Sequence, residues 1–379
     1  MMKKSFCLFC ANYLPNIGGV ERYVHNLAKQ LILRGHDVTV VTSNVFGLLP
    51  HEIDENGIEI FRLPCHNFMK GRYPILKRDA EFEKLDKLLS QKHFDLVVIN
   101  ARFYIHSLYA AIFAQKNKIR CITIEHGSTH LSVDNKVLDF FVAQVEHFVT
   151  MLLKRKCDEY YAVSKAAGKW SEHFGIKSKG ALYNAVDINA IEAAREKKVF
   201  DYRKEYGIKD TDIVITFTGR LLKIKGVYEL LDAFKRLNCQ NAYLFYAGDG
   251  PEMEQLKSNA DDRVVFLGQI DFEHIVSLLD ASDIYCMPSV SEGMSTSVLE
   301  AVATNTFVIT TYNGGARELI KSEDYGIITK ANTADQTKQA LERALDKEYR
   351  DSAVKKAYVE LLDGFTWQRT AEKIESLIN

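Results

Sequence analysis

Two carboxylates stand eight positions apart in the second half of the chain, Glu292 and Glu300, within S-D-I-Y-C-M-P-S-V-S-E-G-M-S-T-S-V-L-E-A. The stretch reads as a short apolar strand (Ile284 to Met287), a loop of small residues after Pro288, and a helix beginning near Ser295 or Thr296. One carboxylate lies in the loop and the other about a turn inside the helix. Between them the amides of Met294, Ser295 and Thr296 are placed at a helix start, where backbone N–H groups and the macrodipole favour an anion. Donors for a phosphate beside acceptors for hydroxyls fit a phosphorylated sugar.

Two cations precede this stretch in G-R-L-L-K-I-K-G. Arg220 follows a strand end and Lys225 comes five residues later, so both can reach one diphosphate. A donor preorganised at developing charge is worth on the order of 3 kcal/mol in the barrier. The sequence contains one D-x-D, Asp210-Thr211-Asp212, but it stands before a strand rather than after one and reads as a turn, so no metal is expected.

The elements that position these residues alternate. Strands are expected at 5–12, 37–43, 58–63, 96–100 and 121–125, with a helix from Gly19 to Arg34 ended by Gly35. A polar stretch follows Asn184-Ala185-Val186-Asp187, and the alternation restarts at Ile213, with strands at 213–219, 242–248, 264–267, 284–287, 307–310 and 326–329. Strand–helix alternation implies parallel sheets covered on both faces, which bind ligands at the carboxyl ends of their strands. The expected organisation is a first domain over 1–187, a second over 188–360, and a last helical segment over 361–379.

Pro15-Asn16-Ile17-Gly18-Gly19-Val20-Glu21, Glu125-His126-Gly127, Asn184-Ala185-Val186-Asp187, Gly219 to Gly226, Ala247 to Pro251 and the paired glutamates occur in one order over nearly the whole chain. This set resembles the retaining glycosyltransferases of the GT-B fold, family 4 (glycosyl transferases group 1). The resemblance implies an α/β architecture of two Rossmann-like domains with parallel sheets facing across a cleft, the first binding acceptor, the second a nucleotide sugar, with the last helix crossing back to the first. It implies a hexosyltransferase that needs no metal and no cofactor. Arg220 and Lys225 are then ligands of the diphosphate, Glu292 with Met294, Ser295 and Thr296 holds the transferred sugar, and Glu300 accepts from the ribose. Gly18 and Gly19 approach the donor phosphate, the stretch to Ile270 holds the base, and His126 lies near the reacting sugar. Gly314, Gly315 and Glu318 resemble an element behind the donor site. Ser295 and Ser297 stand where the family commonly has glycine and proline, which bears on the choice of sugar. A UDP-sugar is favoured over a GDP-sugar, with a glycan or lipid-linked glycan acceptor of polysaccharide or cell-envelope synthesis. A nucleotide-sugar epimerase on the same fold and a non-catalytic donor-binding subunit of a glycan-assembly complex are the rival readings.

Bulk properties narrow the rest. A formal charge of −1 over 379 residues lacks the basic excess of a nucleic-acid-binding protein. Seven unframed cysteines suit a reducing cytoplasm, and Cys7-x-x-Cys10 falls in the first strand, where an offset of three separates the side chains. The N-terminal M-M-K-K-S-F-C-L reads as that strand rather than a signal peptide, and no run of 18 apolar residues offers a membrane span. The stretch 138–153 carries an apolar stripe (Leu138, Phe141, Val142, Val145, Phe148, Val149, Leu152), an opposite face of Asp139, Glu146 and Thr150, and then Lys154-Arg155-Lys156. It is either a core-packed helix or an interfacial one at the anionic inner face of the plasma membrane.

Overall fold

The computed structural model describes residues 3–16, 18–130, 136–312 and 314–378. The chain divides into two compact units, one of Met1–Asn184 with Trp367–Asn379, the other of Ala185–Thr366. The passages between them are Asn184 to Ala185 and Thr366 to Trp367, because incoming and outgoing chain pair inside the second unit: the Val186 amide donates to the Phe365 carbonyl at 3.0 Å, and Val186 bridges Thr366.

In the first unit the strands are β1 (Ser5–Cys10), β2 (Asp37–Ser43), β3 (His51–Ile53), β4 (Glu59–Leu63), β5 (Cys65–Phe68), β6 (Tyr73–Leu76), β7 (Leu96–Asn100), β8 (Cys121–Glu125) and β9 (Tyr160–Ala162). One sheet runs β3-β4-β2-β1-β7-β8-β9, parallel except for β3, while β5 and β6 form a separate hairpin. Leaving out β3, the parallel strands lie in the order third, second, first, fourth, fifth, sixth. The second unit holds β10 (Ile213–Thr218), β11 (Ala242–Ala247), β12 (Val264–Gly268), β13 (Ile284–Met287), β14 (Phe307–Thr311) and β15 (Ile327–Thr329), ordered β12-β11-β10-β13-β14-β15. That is the same order, the doubly wound Rossmann arrangement. Its central strands are buried on both faces, as the unbroken apolar run of β13 and the Phe307-Val308-Ile309 start of β14 require.

The expected strands are all present within a residue or two of their predicted ends. The short β3, β5, β6 and β9 have no counterpart among those expectations; each has three or four residues, too few to carry a period. Cys7 and Cys10 are both buried in β1, and all seven cysteines are free thiols.

The helix Lys136–Lys154 buries only part of its apolar stripe: Val149 is buried, whereas Leu138, Phe141, Val145 and Phe148 are exposed. Glu146 and Thr150, on the face opposite that stripe, are buried, while Phe140, Phe141 and Phe148 are 62%, 60% and 58% exposed. Arg102 is the cause. This fully buried guanidinium reaches Glu146 Oε1 at 2.6 Å and Thr150 Oγ1 at 3.3 Å, turning the polar side inward. Among the described residues no helix is long and apolar enough to cross a membrane.

The final helix, Trp367–Ser376, packs in the first unit against the helix Gly19–Leu33. Trp367 lies edge-on to Tyr23 at 5.2 Å, and Glu375 accepts from Arg34 Nη2 at 2.8 Å and pairs with His36 Nε2 at 2.9 Å.

Candidate functional site

In a doubly wound sheet the crevice opens where strand order reverses, at the carboxyl ends of the first and fourth strands. In the second unit those strands are β10 and β13. The segment leaving β10 carries Arg220, exposed and without an ion pair among the described residues, and continues through the 3-10 turn Lys223–Lys225 into the helix Val227–Lys235. The segment leaving β13 carries Ser289, Glu292, Met294 and Ser295 before the helix Thr296–Ala303.

These two segments are locked together. Lys225 Nζ bonds Glu292 Oε1, the Ser289 hydroxyl, which has one proton to give, lies 3.1 Å from that same oxygen and 3.1 Å from the Ile224 carbonyl, and the Val290 amide donates to that carbonyl at 2.8 Å. Gly226 makes this approach feasible. Its φ of 74° is left-handed, and a Cβ there would stand 2.0 Å from the Pro288 carbonyl oxygen. A third segment backs Glu292: Gly314 has φ 132°, its Cβ would fall 2.5 Å from the Glu292 carbonyl oxygen, and the Gly315 amide donates to Gly293 at 2.9 Å.

The helix starts at Thr296 with Ser295 as its N-cap, but the Ser295 side chain does not cap. Its Oγ lies 3.0 Å from Ser297 Oγ, which accepts from Tyr285 Oη on β13 at 2.8 Å. The serine at 297 therefore ties the helix start to the strand below it. Glu300 is buried within the helix's second turn. Ile270 lies just beyond β12, at the carboxyl side of the same sheet and half-buried among Tyr202, Phe245 and Ala247. Asp212 lies at the opposite end of the sheet, in the turn before β10, where its carboxylate accepts from the Lys209 amide at 2.9 Å.

The remaining residues belong to the first unit. Gly18 is the N-cap of the helix Gly19–Leu33, and Glu21, at the third helical position, turns its carboxylate back over Gly18 and accepts from Asn16 at 2.9 Å. A Cβ on Gly18 would meet that carboxylate at 2.4 Å, whereas one on Gly19 meets nothing within 4 Å. His126 follows β8 and lies edge-on to Tyr23 at 4.8 Å, so the glycine turn and the histidine share one wall.

The state of His126 is set by its neighbours. Asn100 Nδ2 donates to the Phe9 carbonyl at 3.1 Å, which leaves Asn100 Oδ1 as the atom 3.0 Å from His126 Nε2. A carbonyl oxygen only accepts, so Nε2 carries the ring proton and Nδ1 is a bare acceptor. Burial pushes the His126 pKa down to about 3, and the ring is neutral. The preceding Glu125 accepts the His126 and Gly127 amides at 3.0 and 2.9 Å and pairs with Arg102 at 2.7 Å, fixing the loop. Asn100, Ser289 and the Arg102–Glu125 pair were not singled out from sequence; the one signal for Asn100 was a polar residue closing the apolar strand L-V-V-I-N.

Two family models match, Glycos_transf_1 (Glycosyl transferases group 1) over residues 198–360 and Glyco_transf_4 (Glycosyltransferase Family 4) over residues 17–190. The chain is 25% identical over 396 residues to an uncharacterised glycosyltransferase of Methanocaldococcus jannaschii, covering 100% of this chain and 98% of that one. It is 29% identical over 381 residues to the UDP-Gal:α-D-GlcNAc-diphosphoundecaprenol α-1,3-galactosyltransferase of Escherichia coli, covering 96% and 94%. Among solved structures it is similar to HepE of Anabaena in complex with UDP and glucose, with a TM-score of 0.76 at 18% identity over 99% of each chain. With two Rossmann units whose order and match span nearly every residue, the chain is a GT-B protein and belongs to the glycosyltransferases of the group 1, family 4 type.

Proposed function

We propose that the protein transfers a hexose from a UDP-sugar to a hydroxyl of a glycan or lipid-linked glycan, with retention at the anomeric carbon and without a metal ion. The observation that carries this is the Lys225–Glu292 pair at the reversal point of the second sheet, with Arg220 on the same segment leaving β10 as Lys225. HepE binding UDP and the E. coli relative named for UDP-Gal support the donor base.

As the bond from C1 to the diphosphate oxygen breaks, negative charge grows on the leaving group, and Arg220 and Lys225 are the cations that meet it. Glu292 holds Lys225 in the free protein and accepts from hydroxyls of the sugar when donor binds. The Met294, Ser295 and Thr296 amides lie beside it, Glu300 accepts from the ribose, and the backbone up to Ile270 holds the base. The acceptor oxygen attacks C1 from the face that the phosphate leaves, and its proton passes to the departing diphosphate oxygen, so bonds and charge balance without an enzymatic nucleophile. His126 positions the sugar: Nδ1 accepts a hydroxyl, and a neutral ring adds no positive charge beside a developing oxocarbenium ion. Gly18 and Gly19 let backbone approach the donor phosphate.

The acceptor reading rests on the helix Lys136–Lys154. Its exposed face of Leu138, Phe140, Phe141, Val145 and Phe148, followed by Lys154, Arg155 and Lys156, suits the surface of an anionic membrane, where a lipid-linked acceptor resides. On this reading the protein works in the cytoplasm, at the inner face of the plasma membrane.

The test is nucleotide release from UDP-, GDP- and ADP-sugars, with and without added Mg²⁺ or Mn²⁺, for wild type and Lys225→Ala. Release from a UDP-sugar that ignores these ions and is lost in the variant is the expected result. Release from no donor, even with membrane lipid extract present, would sink the proposal.

A further inference from the structure

Three histidines with no part in the chemistry above meet in the first unit. His130 lies in the loop after β8, His147 on the helix Lys136–Lys154, and His173 in the 3-10 turn Glu172–Phe174. Each offers one ring nitrogen, and the three nitrogens lie within 4.8 Å of one another. His147 Nε2 and His173 Nε2 are 3.2 Å apart, and the ring centroids are separated by 5.0, 5.1 and 5.6 Å.

These spacings have a chemical meaning. Imidazoles bound tetrahedrally to a metal at about 2.05 Å place their nitrogens about 3.3 Å apart and their ring centres about 5 Å apart. Packed aromatic rings also sit at such centroid distances, but packing alone gives polar nitrogens no reason to converge. Two Nε2 atoms facing each other need either a shared proton or an ion between them.

The surroundings fit an ion. His130 gives Nδ1 to Glu146 Oε2 at 2.6 Å, which leaves Nε2 for a metal and is the carboxylate support that metal-bound histidines commonly have. Glu146 is itself held by Arg102. Trp170 stacks on His173 at 5.0 Å and Phe174 packs on His147 at 4.6 Å, fixing both rings. Burial and the neighbouring histidines push the His147 pKa down, favouring the neutral, ligating form. A cavity of about 410 Å³, bordered by His147, His173, Lys154 and Arg155, leaves room for a fourth ligand. Of the two cations, Lys154 is engaged with the Phe174 and Gly175 carbonyls. Three imidazoles with no oxygen ligand suit zinc, nickel or cobalt and not magnesium or calcium.

We propose that His130, His147 and His173 bind one divalent transition-metal ion, with water or an anion as fourth ligand, at a site separate from the donor site. The ion ties the loop that carries His126 to the helix Lys136–Lys154, since His130 and His126 belong to the same loop.

The test titrates Co²⁺ into the tag-free full chain after chelation. One ion per chain, the intense visible absorption of tetrahedral cobalt, displacement by Zn²⁺ and a higher melting temperature are expected. His173→Ala and His147→Ala each weaken binding by roughly tenfold or more, and His93→Ala, at a remote exposed histidine, leaves it unchanged. His173 is exposed, so its variant keeps the fold, which its metal-free melting curve checks. Absence of saturable binding, or equal affinity in wild type and His173→Ala, would overturn the site. The readout is the ion itself and does not depend on sugar transfer.

Discussion

Lys225 and Glu292, 67 residues apart in the chain, join side chain to side chain across the segments that leave β10 and β13. Their contact brings the cation proposed for the diphosphate and the carboxylate proposed for the sugar together in the free protein. Charge on the leaving group grows in the transition state, so Lys225→Ala should lower kcat by about 10²–10³ while changing the donor KM far less. Steady-state nucleotide release decides this; a variant with normal kcat would remove Lys225 from the diphosphate.

Gly18 and Gly19 separate folding from binding. Gly18→Ala forces the Glu21 carboxylate to swing away from its Asn16 hydrogen bond and should cost the first unit about 1 kcal/mol, whereas Gly19→Ala has open space and should leave stability within about 0.5 kcal/mol. If backbone at Gly19 meets the donor phosphate, its alanine variant melts normally but shows a raised donor KM. A normal KM would place the phosphate elsewhere.

His126 is neutral because burial opposes its charge, so no histidine titration from it should shape kcat/KM between pH 5 and 8. Asn100→Asp puts a carboxylate against Nε2, which favours the imidazolium and raises the His126 pKa. Activity of that variant should fall as pH drops through the new pKa, in a pH–rate profile that is flat in this respect for wild type.

Arg34 holds the Glu375 carboxyl below its usual range, mainly through their hydrogen bonds. A carboxyl whose pKa is lower folded than unfolded stabilises above its unfolded value, about 4.3, and loses that contribution as pH falls through the folded value. Glu375→Gln should therefore cost about 2 kcal/mol in urea unfolding at pH 7, and progressively less on acidification.

The outward phenylalanines give the membrane proposal its check. Phe141→Ser with Phe148→Ser should weaken sedimentation with anionic vesicles while leaving thermal stability nearly unchanged, because both side chains are mostly exposed. Loss of stability instead would mean that this face packs on protein.

Most of the fold was legible in the sequence because buried parallel strands are written as apolar runs between glycine and polar breaks, as in β2, β7, β8 and β13, whose limits match the expected ones to the residue. The candidate residues were legible for a related reason: Arg220, Lys225, Glu292 and His126 come shortly after such strands, and the carboxyl ends of parallel strands are where ligands bind. Periodicity, by contrast, left open which side of the helix Lys136–Lys154 packs on the protein. Its polar side turned inward because Arg102, 44 residues from Glu146, is buried and needs carboxylates, and no local pattern records a long-range ion pair. The tautomer of His126 depends in the same way on Asn100 and the Phe9 carbonyl, and the convergence of His130, His147 and His173 on three elements that only folding brings together. Local sequence determined which segments become strands and which residues stand at their carboxyl ends; distances between side chains remote in the chain were decided by tertiary packing.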